Sequence, residues 1–211
     1  MAGYLCRLCS AESPEACTCP PIPATPPFVP FPKIPRHNRG IVITEKIDGT
    51  NAGIYVSSDP MAPLIAASRN RWLLPGQADN FDFGMWVATY SDLLRGLGPG
   101  MHWGEWYGRG IGRNYGLQER RFALFNTTRW ADGRAVRPAC CGVVPTLYAG
   151  DFAKWTQEET LRDLRENGSK AVPGFMKPEG IVFYHIAAKM FTKVTLEKDD
   201  APKSLETQDA V

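Results

Sequence analysis

The sequence predicts an α+β protein, in which several short strands accompany two longer helices. Strand-like patterns, made of alternating β-branched residues or short apolar runs, begin at residue 41 and occur at residues 52–56, 63–67 and 121–126. Two further segments carry apolar residues at helical spacing, from Asn80 to Leu97 and from Thr156 to Gly168. Both are bounded by polar capping residues and a glycine, so we expect two helices among the strands.

The composition is that of an ordinary globular domain with an appendage. The chain has 211 residues, of which 44% are hydrophobic, so it can bury a core. Its formal net charge is only +2, so any surface for nucleic acid must be a local patch. The sequence has no apolar run of membrane-spanning length and no signal segment after Met1. We therefore expect a soluble, cytoplasmic protein without membrane contact.

Residues 1–19 form a cysteine-rich segment that could bind a metal ion. It contains four of the six cysteines, namely Cys6, Cys9, Cys17 and Cys19. The two-residue spacing between Cys6 and Cys9 lets both sulfurs face one ion, and four thiolates can complete a tetrahedral zinc site. A cytoplasmic chain does not favour disulfides. The alternatives left open are a structural Zn²⁺ site and an unstructured tail with free thiols.

Residues 20–35 contain eight prolines and predict an extended linker. The linker would space the cysteine-rich segment from the main domain, which we place at residues 36–200. Residues 201–211 are polar and predict a flexible tail.

The stretch Ile41–Asn51 combines a strand with a cluster of chemically active side chains. Alternation along the strand directs Lys46 and Asp48 to the same side. Gly49 then allows a tight turn or a close approach of the backbone to a ligand. A lysine in such a place is suited to act as a nucleophile, although a salt-bridged lysine at a strand end is the plain structural alternative.

This stretch resembles the K-x-D-G motif of the covalent nucleotidyltransferases, which include DNA ligases, RNA ligases and mRNA capping enzymes. The longer string from Glu45 to Asn51 is most similar to the E-K-x-x-G-T-N string of nick-sealing RNA ligases. The resemblance implies that Lys46 is the catalytic nucleophile. It also implies that Glu45, Asp48 and Asn51 help to bind the nucleotide or its metal.

Further segments resemble the other motifs of these enzymes, in the same order. Arg69 follows Ser68 as the expected phosphate-binding arginine, and a planar guanidinium suits phosphate. Glu105, in Gly104-Glu105, corresponds to the glutamate that accepts hydrogen bonds from the ribose. Phe125 corresponds to the residue that stacks on the purine, with Phe122 as the alternative.

The last two motifs lie near the end of the predicted domain. Glu179, in Pro178-Glu179-Gly180, corresponds to the glutamate that holds Mg²⁺ or its waters near the α-phosphate. Lys193 and Lys189 lie where the family usually has two lysines one residue apart. Here they are four residues apart, and we expect both to reach the phosphate if they share a strand face.

The resemblance implies a nucleotidyltransferase domain, similar to the ATP-grasp-like adenylation domain of ligases, with antiparallel sheets flanked by helices. Only 18 residues follow Lys193, so no C-terminal OB-fold is expected. The implied activity is that of a single-domain ATP-dependent RNA ligase that uses Mg²⁺ or Mn²⁺ and joins 3′-OH and 5′-phosphate ends through lysine–AMP. A protein partner or second module would help to engage the RNA. A DNA ligase, a capping-type enzyme and a non-sealing nucleotide- or RNA-binding module remain the alternatives.

Overall fold

The structure is a computed structural model that describes residues 27–131 and 135–197, together with residues 12, 13, 15, 16 and 18. The chain divides into two units, Met1–Ile34 and Pro35–Val211, and the elements described below belong to the second unit. The four cysteines predicted to bind zinc lie outside the described residues, so the zinc site stays a prediction.

The expected α+β architecture is present. The strands are β1 Gly40–Lys46, β2 Thr50–Val56, β3 Ile65–Ser68, β4 Trp72–Leu73, β5 Gly100–Gly108, β6 Arg120–Leu124, β7 Cys141–Val143, β8 Thr146–Asp151, β9 Gly180–His185 and β10 Met190–Thr195. The helices are α1 Phe83–Thr89, α2 Ser91–Leu94, α3 Thr127–Trp130 and α4 Gln157–Asn167. None of the helices in the described part of the chain has the length and apolar character needed to cross a lipid bilayer.

Two sheets carry the fold. A four-stranded antiparallel sheet has the strand order β10-β9-β1-β8, and a six-stranded sheet has the order β4-β3-β2-β5-β6-β7. The pairs in the larger sheet are antiparallel except β6 with β7. Because β1 belongs to one sheet and β2 to the other, the short segment Ile47–Gly49 is where the chain crosses between them.

Each sheet buries one face against helices. In the smaller sheet, Ile41 and Ile43 of β1 pack with Leu161 and Leu164 of α4. In the larger sheet, side chains of β2, β5 and β6 pack against Phe83 and other residues of the helices and form a second core. A third cluster contains Ile47, Tyr107, Tyr115, Ala123 and Val144. Lys46 of the smaller sheet and Glu105 of the larger sheet lie on the strand faces turned away from these helices.

The predicted helix from Asn80 to Leu97 is broken into shorter pieces. Phe81 and Asp82 adopt left-handed backbone angles, with φ of 50° and 57°, and α1 ends at Tyr90 before α2 begins. The carboxylate of Asp79, rather than Asn80, accepts hydrogen bonds from the first amides of α1. Asn80 instead bonds the hydroxyl of Thr50, which ties the helix to the start of β2.

Candidate active site

Lys46 is the last residue of β1, and its side chain points towards the residue that precedes β9. In the sheet, Lys46 pairs directly with Gly180, so the preceding residue, Glu179, lies beside it. The Nζ atom of Lys46 donates a hydrogen bond to Oε2 of Glu179 over 2.5 Å. The antiparallel pairing of β1 and β9 thus joins the predicted motifs of Lys46 and Glu179 in one ion pair.

Glu105 lies next to this pair, on β5 of the other sheet. Burial raises the pKa of the Glu105 carboxyl to about 7, while the positive charge of Lys46 and the amide of Gly49 oppose the rise. The negative charge of Glu179 raises this pKa by a smaller amount, and the positive charge of Arg69 lowers it by a smaller amount. These mutual influences show that Lys46, Glu105, Glu179 and Arg69 share one electrostatic environment.

Gly49 allows the close approach that brings the two sheets together at this point. Its amide donates to Oε1 of Glu105 over 3.1 Å. A Cβ atom at residue 49 would collide with the carbonyl oxygen of Trp106 and with the side chain of Tyr107, at 2.8 Å. The glycine predicted to approach a ligand therefore approaches β5, and in doing so sets the position of Glu105 relative to Lys46.

A row of side chains across the larger sheet holds the predicted nucleotide-binding residues. Asn51 of β2 pairs with Glu105 of β5, so the two side chains lie on the same face. Ala52 pairs with Ser68, which places Arg69 beside Asn51 on the other side. Arg69, Asn51 and Glu105 thus form one row, and the opposite face of these strands belongs to the helix-covered core.

The structure separates the two phenylalanines that the sequence left as alternatives. Phe122 is fully buried, and its ring contacts Phe83 and Trp86 in the core. Phe125 follows β6, is 37% exposed, and donates its amide hydrogen to the carbonyl of Trp103. It extends the register of β6 and so lies on the same face as Glu105. Phe125 is therefore the phenylalanine available for stacking.

Asp48 faces a neighbouring loop. Its carboxylate lies 3.6 Å from the guanidinium of Arg113, and its backbone amide donates to the hydroxyl of Tyr115. Burial raises the pKa of that Tyr115 hydroxyl. Sequence patterns gave no indication of Tyr115, because its role depends on the loop of residues 109–116 folding back against β1.

Glu45 does not join the group around Lys46, contrary to the expectation from the sequence. Adjacent residues of a strand point to opposite faces, and Glu45 lies on the buried face with Ile41 and Ile43. Its carboxylate accepts hydrogen bonds from the Ser169 hydroxyl and from the amides of residues 170 and 171. These bonds anchor the segment after α4 and leave no free oxygen directed at the Lys46 face.

The two distal lysines are also separated. Lys193 lies on β10 opposite Val182, which pairs with Thr44, so Lys193 and Lys46 are on the same face of the smaller sheet. The prediction that Lys189 shares this strand face is wrong, because Lys189 lies in the turn before β10 with a φ of 51°. At about 3.3 Å per residue, it is roughly 20 Å along the hairpin from the level of Lys46.

The carboxylates around Lys46 suit a hard divalent cation. Mg²⁺ is usually bound by one or two carboxylates together with substrate phosphates and water. Within the ranges that the structure describes, no cluster of three or more histidine, cysteine or acidic side chains forms a complete metal cage. Glu179 and Glu105 would supply the two carboxylates, and substrate phosphates and water would complete the coordination of Mg²⁺.

Comparison with known proteins shows which family and which fold this chain resembles. Residues 39–198 match the family model described as RNA ligase. Solved structures of Naegleria gruberi RNA ligase share the fold: a lysine-to-alanine variant with ATP and Mn has a TM-score of 0.51 and 20% identity, covering 75% of this chain and 49% of the ligase. An apo variant gives a TM-score of 0.54 with 19% identity and the same coverage.

The chain therefore spans about half the length of the ligase that it matches. No curated protein sequence matches it. The family model covers most of the chain, including every residue of the site described above, and the chain belongs to the RNA ligase family.

Proposed function

We propose that this protein is an ATP-dependent RNA ligase that joins 3′-OH and 5′-phosphate ends through a lysine–AMP intermediate. The observation that carries the proposal is the placement of Lys46 within hydrogen-bonding distance of Glu179 and in the electrostatic environment of Glu105 and Arg69. Family membership adds to it. So does the likeness in fold to a ligase that was solved with ATP and Mn.

In the first step, the uncharged amine of Lys46 attacks the α-phosphorus of ATP. A P–N bond forms, the P–O bond to pyrophosphate breaks, and the nitrogen releases one proton to the departing pyrophosphate or to solvent. An ammonium group has no lone pair for the attack, so Lys46 must first give up the proton that it shares with Glu179. This proton passes to solvent when the contact with Glu179 opens, which leaves the Glu179 carboxylate free to bind the metal ion.

The AMP then passes to the RNA. An oxygen of the 5′-phosphate attacks the lysine-bound phosphorus and releases the Lys46 amine. The 3′-OH next attacks the 5′-phosphate, forms the new phosphodiester and expels AMP. All three steps are in-line transfers, in which positioning and charge neutralisation provide most of the rate enhancement.

The surrounding residues have distinct roles in this proposal. Glu105 and Asn51 bind the ribose, Phe125 stacks on the purine, and Arg69 and Lys193 bind phosphates. Asp48 supports the nucleotide or the metal from the loop side. Glu179 is the main ligand for Mg²⁺ or Mn²⁺, and a bound divalent ion would neutralise phosphate charge.

Other features of the whole protein are proposed from its sequence. We place the catalytic domain at residues 36–200, after a cysteine-rich segment at 1–19 and a proline-rich linker at 20–35, and before a flexible tail at 201–211. The cysteine-rich segment would hold a structural Zn²⁺. The protein would act in the cytoplasm, and a protein partner or second module would assist its engagement of RNA.

The test is covalent labelling of the purified full chain with α-labelled ATP, GTP or NAD and a divalent metal. We expect a labelled adduct with ATP that survives denaturation, and none with the Lys46→Ala variant. Lys154→Ala is the matched control, because Lys154 is exposed and pairs only weakly with Asp151, at 4.0 Å. Loss of the adduct in the control as well would mean that Lys46 is not the specific site.

A second assay tests the sealing step with RNA that carries 3′-OH and 5′-phosphate ends. We expect a joined strand and released AMP. An adduct that never transfers to any end would contradict sealing by this chain alone. ATP that is bound without an adduct would instead indicate a non-sealing nucleotide-binding module.

A further inference from the structure

A row of five residues, three of them aromatic, crosses the larger sheet next to the site, and the roles proposed above account only for Phe125 at its end. Trp72 of β4 pairs with Ala67 of β3, which pairs with Gly53 of β2, which pairs with Trp103 of β5. Phe125 continues the row, because its amide bonds the carbonyl of Trp103. We call these five residues the aromatic row.

All members of the aromatic row lie on the face that carries Arg69, Asn51 and Glu105. Residues two apart on a strand share a face, and Gly53 follows Asn51 by two positions. The aromatic row is therefore displaced by about 7 Å from the row that contains Glu105, on the side away from Lys46. It is a direct continuation of the candidate active site.

The rings of this surface are open to solvent. Trp72 is 45% exposed, Trp103 39% and Phe125 37%. Tyr55, two residues beyond Gly53 on the same face, is 37% exposed, and its ring meets Trp72 edge-on at 6.1 Å. Four large aromatic side chains with free surface on one sheet face form an unusual patch, because such rings are normally buried in a core.

Small residues between the rings keep the surface open. Gly53 and Ala67 separate Trp72 from Trp103. A Cβ atom at residue 53 would lie 2.7 Å from the ring of Trp103, so that ring extends over the glycine. A larger residue at position 53 would push the indole away from the sheet.

Two arginines lie next to the aromatic row. Arg69 and Arg71 lie in the turn that joins β3 to β4, directly before Trp72, and both are exposed. Arg71 bonds the carbonyls of Trp72 and Ala78, which holds its guanidinium beside the row. The aromatic row itself carries no acidic side chain. Exposed rings flanked by arginines match the chemistry of a nucleic-acid strand, whose bases stack and whose phosphates are anionic.

We infer that Trp72, Trp103 and Tyr55 bind unpaired nucleotides of the RNA substrate by base stacking. The inference rests on the proposed function, because it assigns the strand held there to the RNA that the site joins. A base can stack on a side chain only when the base is not stacked within a duplex. The occupant is therefore a single-stranded segment next to the end being joined, and its nearest base lies close to the nucleotide on Phe125.

The test measures binding of a fluorescent, unstructured 12-nucleotide RNA to the full chain by anisotropy, without ATP. We expect Trp72→Ala and Tyr55→Ala each to weaken binding by between about 5- and 150-fold. Trp72→Phe should restore most of the affinity, because it keeps a ring. The dependence of affinity on salt should not change, because these substitutions remove no contact with phosphate.

Tyr90→Ala is the matched control, since Tyr90 is 39% exposed but packs against Trp86 on the helix-covered side of the sheet. Binding unchanged in Trp72→Ala and Tyr55→Ala would overturn the inference. The inference would also be overturned if a blunt RNA duplex bound as tightly as the single strand and lost the same affinity in Trp72→Ala and Tyr55→Ala. Concentration-dependent self-association of the wild type that Trp72→Ala abolishes would assign the surface to a second copy instead.

The test of RNA binding can be separated from the test of the proposed chemistry. RNA binding is measured without ATP and therefore without an adduct on Lys46, so the two assays report separately on the surface and on the chemistry. Absence of the adduct with intact, Trp72-dependent RNA binding would overturn the ligase proposal alone. An intact adduct with Trp72-independent RNA binding would overturn the stacking inference alone.

Discussion

Lys46 and Glu179 form a hydrogen-bonded ion pair of 2.5 Å although 133 residues separate them in the sequence. Both side chains are largely buried, with 20% and 11% of their surfaces exposed. The contact occupies the Nζ atom that would attack the nucleotide. Adduct formation therefore requires that this contact be broken, which couples nucleophile activation to whatever binds Glu179.

Glu179→Gln should slow the formation of the lysine adduct by roughly 100-fold, because a neutral amide binds Mg²⁺ poorly. The measurement is the initial rate of labelling with α-labelled ATP at saturating Mg²⁺. Glu119→Gln is a suitable control, since Glu119 is an exposed acid paired with Arg121. A faster rate in Glu179→Gln would show that Glu179 only suppresses the amine.

Glu105 should make the stability of the protein depend on pH around neutrality. Burial raises the pKa of this carboxyl from 4.5 to about 7, so the folded state binds a proton more tightly than the unfolded state. Stability from this group is then complete below about pH 4.5 and is lost as the pH rises through 7. Relative to Glu105→Gln, the wild type should lose about 2–3 kcal/mol of unfolding free energy over that range. Urea unfolding at several pH values measures the difference, and parallel curves for the two proteins would contradict the prediction.

The same carboxyl should give nucleotide binding a pH dependence. A ribose hydroxyl donates more strongly to an ionised carboxylate than to a neutral carboxyl group. The affinity of the wild type for ATP should therefore rise as the pH increases from 6 to 8. The Glu105→Gln variant should bind more weakly above pH 7 and show a flat profile. Isothermal titration with the Lys46→Ala background prevents adduct formation during the measurement.

Glu45 should prove to be a structural residue. Its buried carboxylate accepts three hydrogen bonds from the segment 169–171, and their loss leaves those donors unsatisfied. Glu45→Ala should lower the free energy of unfolding by about 3 kcal/mol. For a domain of this size that corresponds to a fall in Tm of about 6–12 °C.

The structural role of Glu45 also predicts a kinetic result. At a temperature where Glu45→Ala is fully folded, the apparent KM for ATP in adduct formation should stay within about threefold of the wild type, because Glu45 faces away from Lys46. An increase of tenfold or more in that KM, with an unchanged Tm, would restore the direct nucleotide contact that the sequence suggested.

Lys193 and Lys189 should behave differently on substitution. Lys193 lies on the Lys46 face of the smaller sheet, so Lys193→Ala should reduce the rate of adduct formation by about 10- to 100-fold through lost phosphate binding. Lys189→Ala should leave the rate unchanged, because the turn that carries it lies at the far end of the hairpin. Equal loss in both variants would mean that the turn reaches the phosphates. The labelling assay with ATP decides between these outcomes.

The sequence by itself determined which residue types occur in which order. Alternating β-branched residues specified β1, and the positions of Lys46, Glu105, Phe125, Glu179 and Lys193 relative to glycines and apolar runs were sufficient to indicate the family. These features are local, because each depends on a few neighbouring residues and on the period of a strand. The sequence shows no strand pattern at residues 146–151, which nevertheless form β8, because the pairing of β8 with β1 is not encoded locally.

The tertiary structure decided what each residue faces. Glu45 and Lys46 are neighbours in sequence, yet strand alternation and the packing of α4 place Glu45 in the core and Lys46 on the opposite face of the sheet, beside Glu179. Phe122 and Phe125 have the same side chain, and only the position of β6 against Phe83 buries the first. The raised pKa of Glu105 and the aromatic row arise because distant strands pair in a particular register. Register is a property of the whole sheet, since it depends on which strands meet, and no short stretch of sequence contains it.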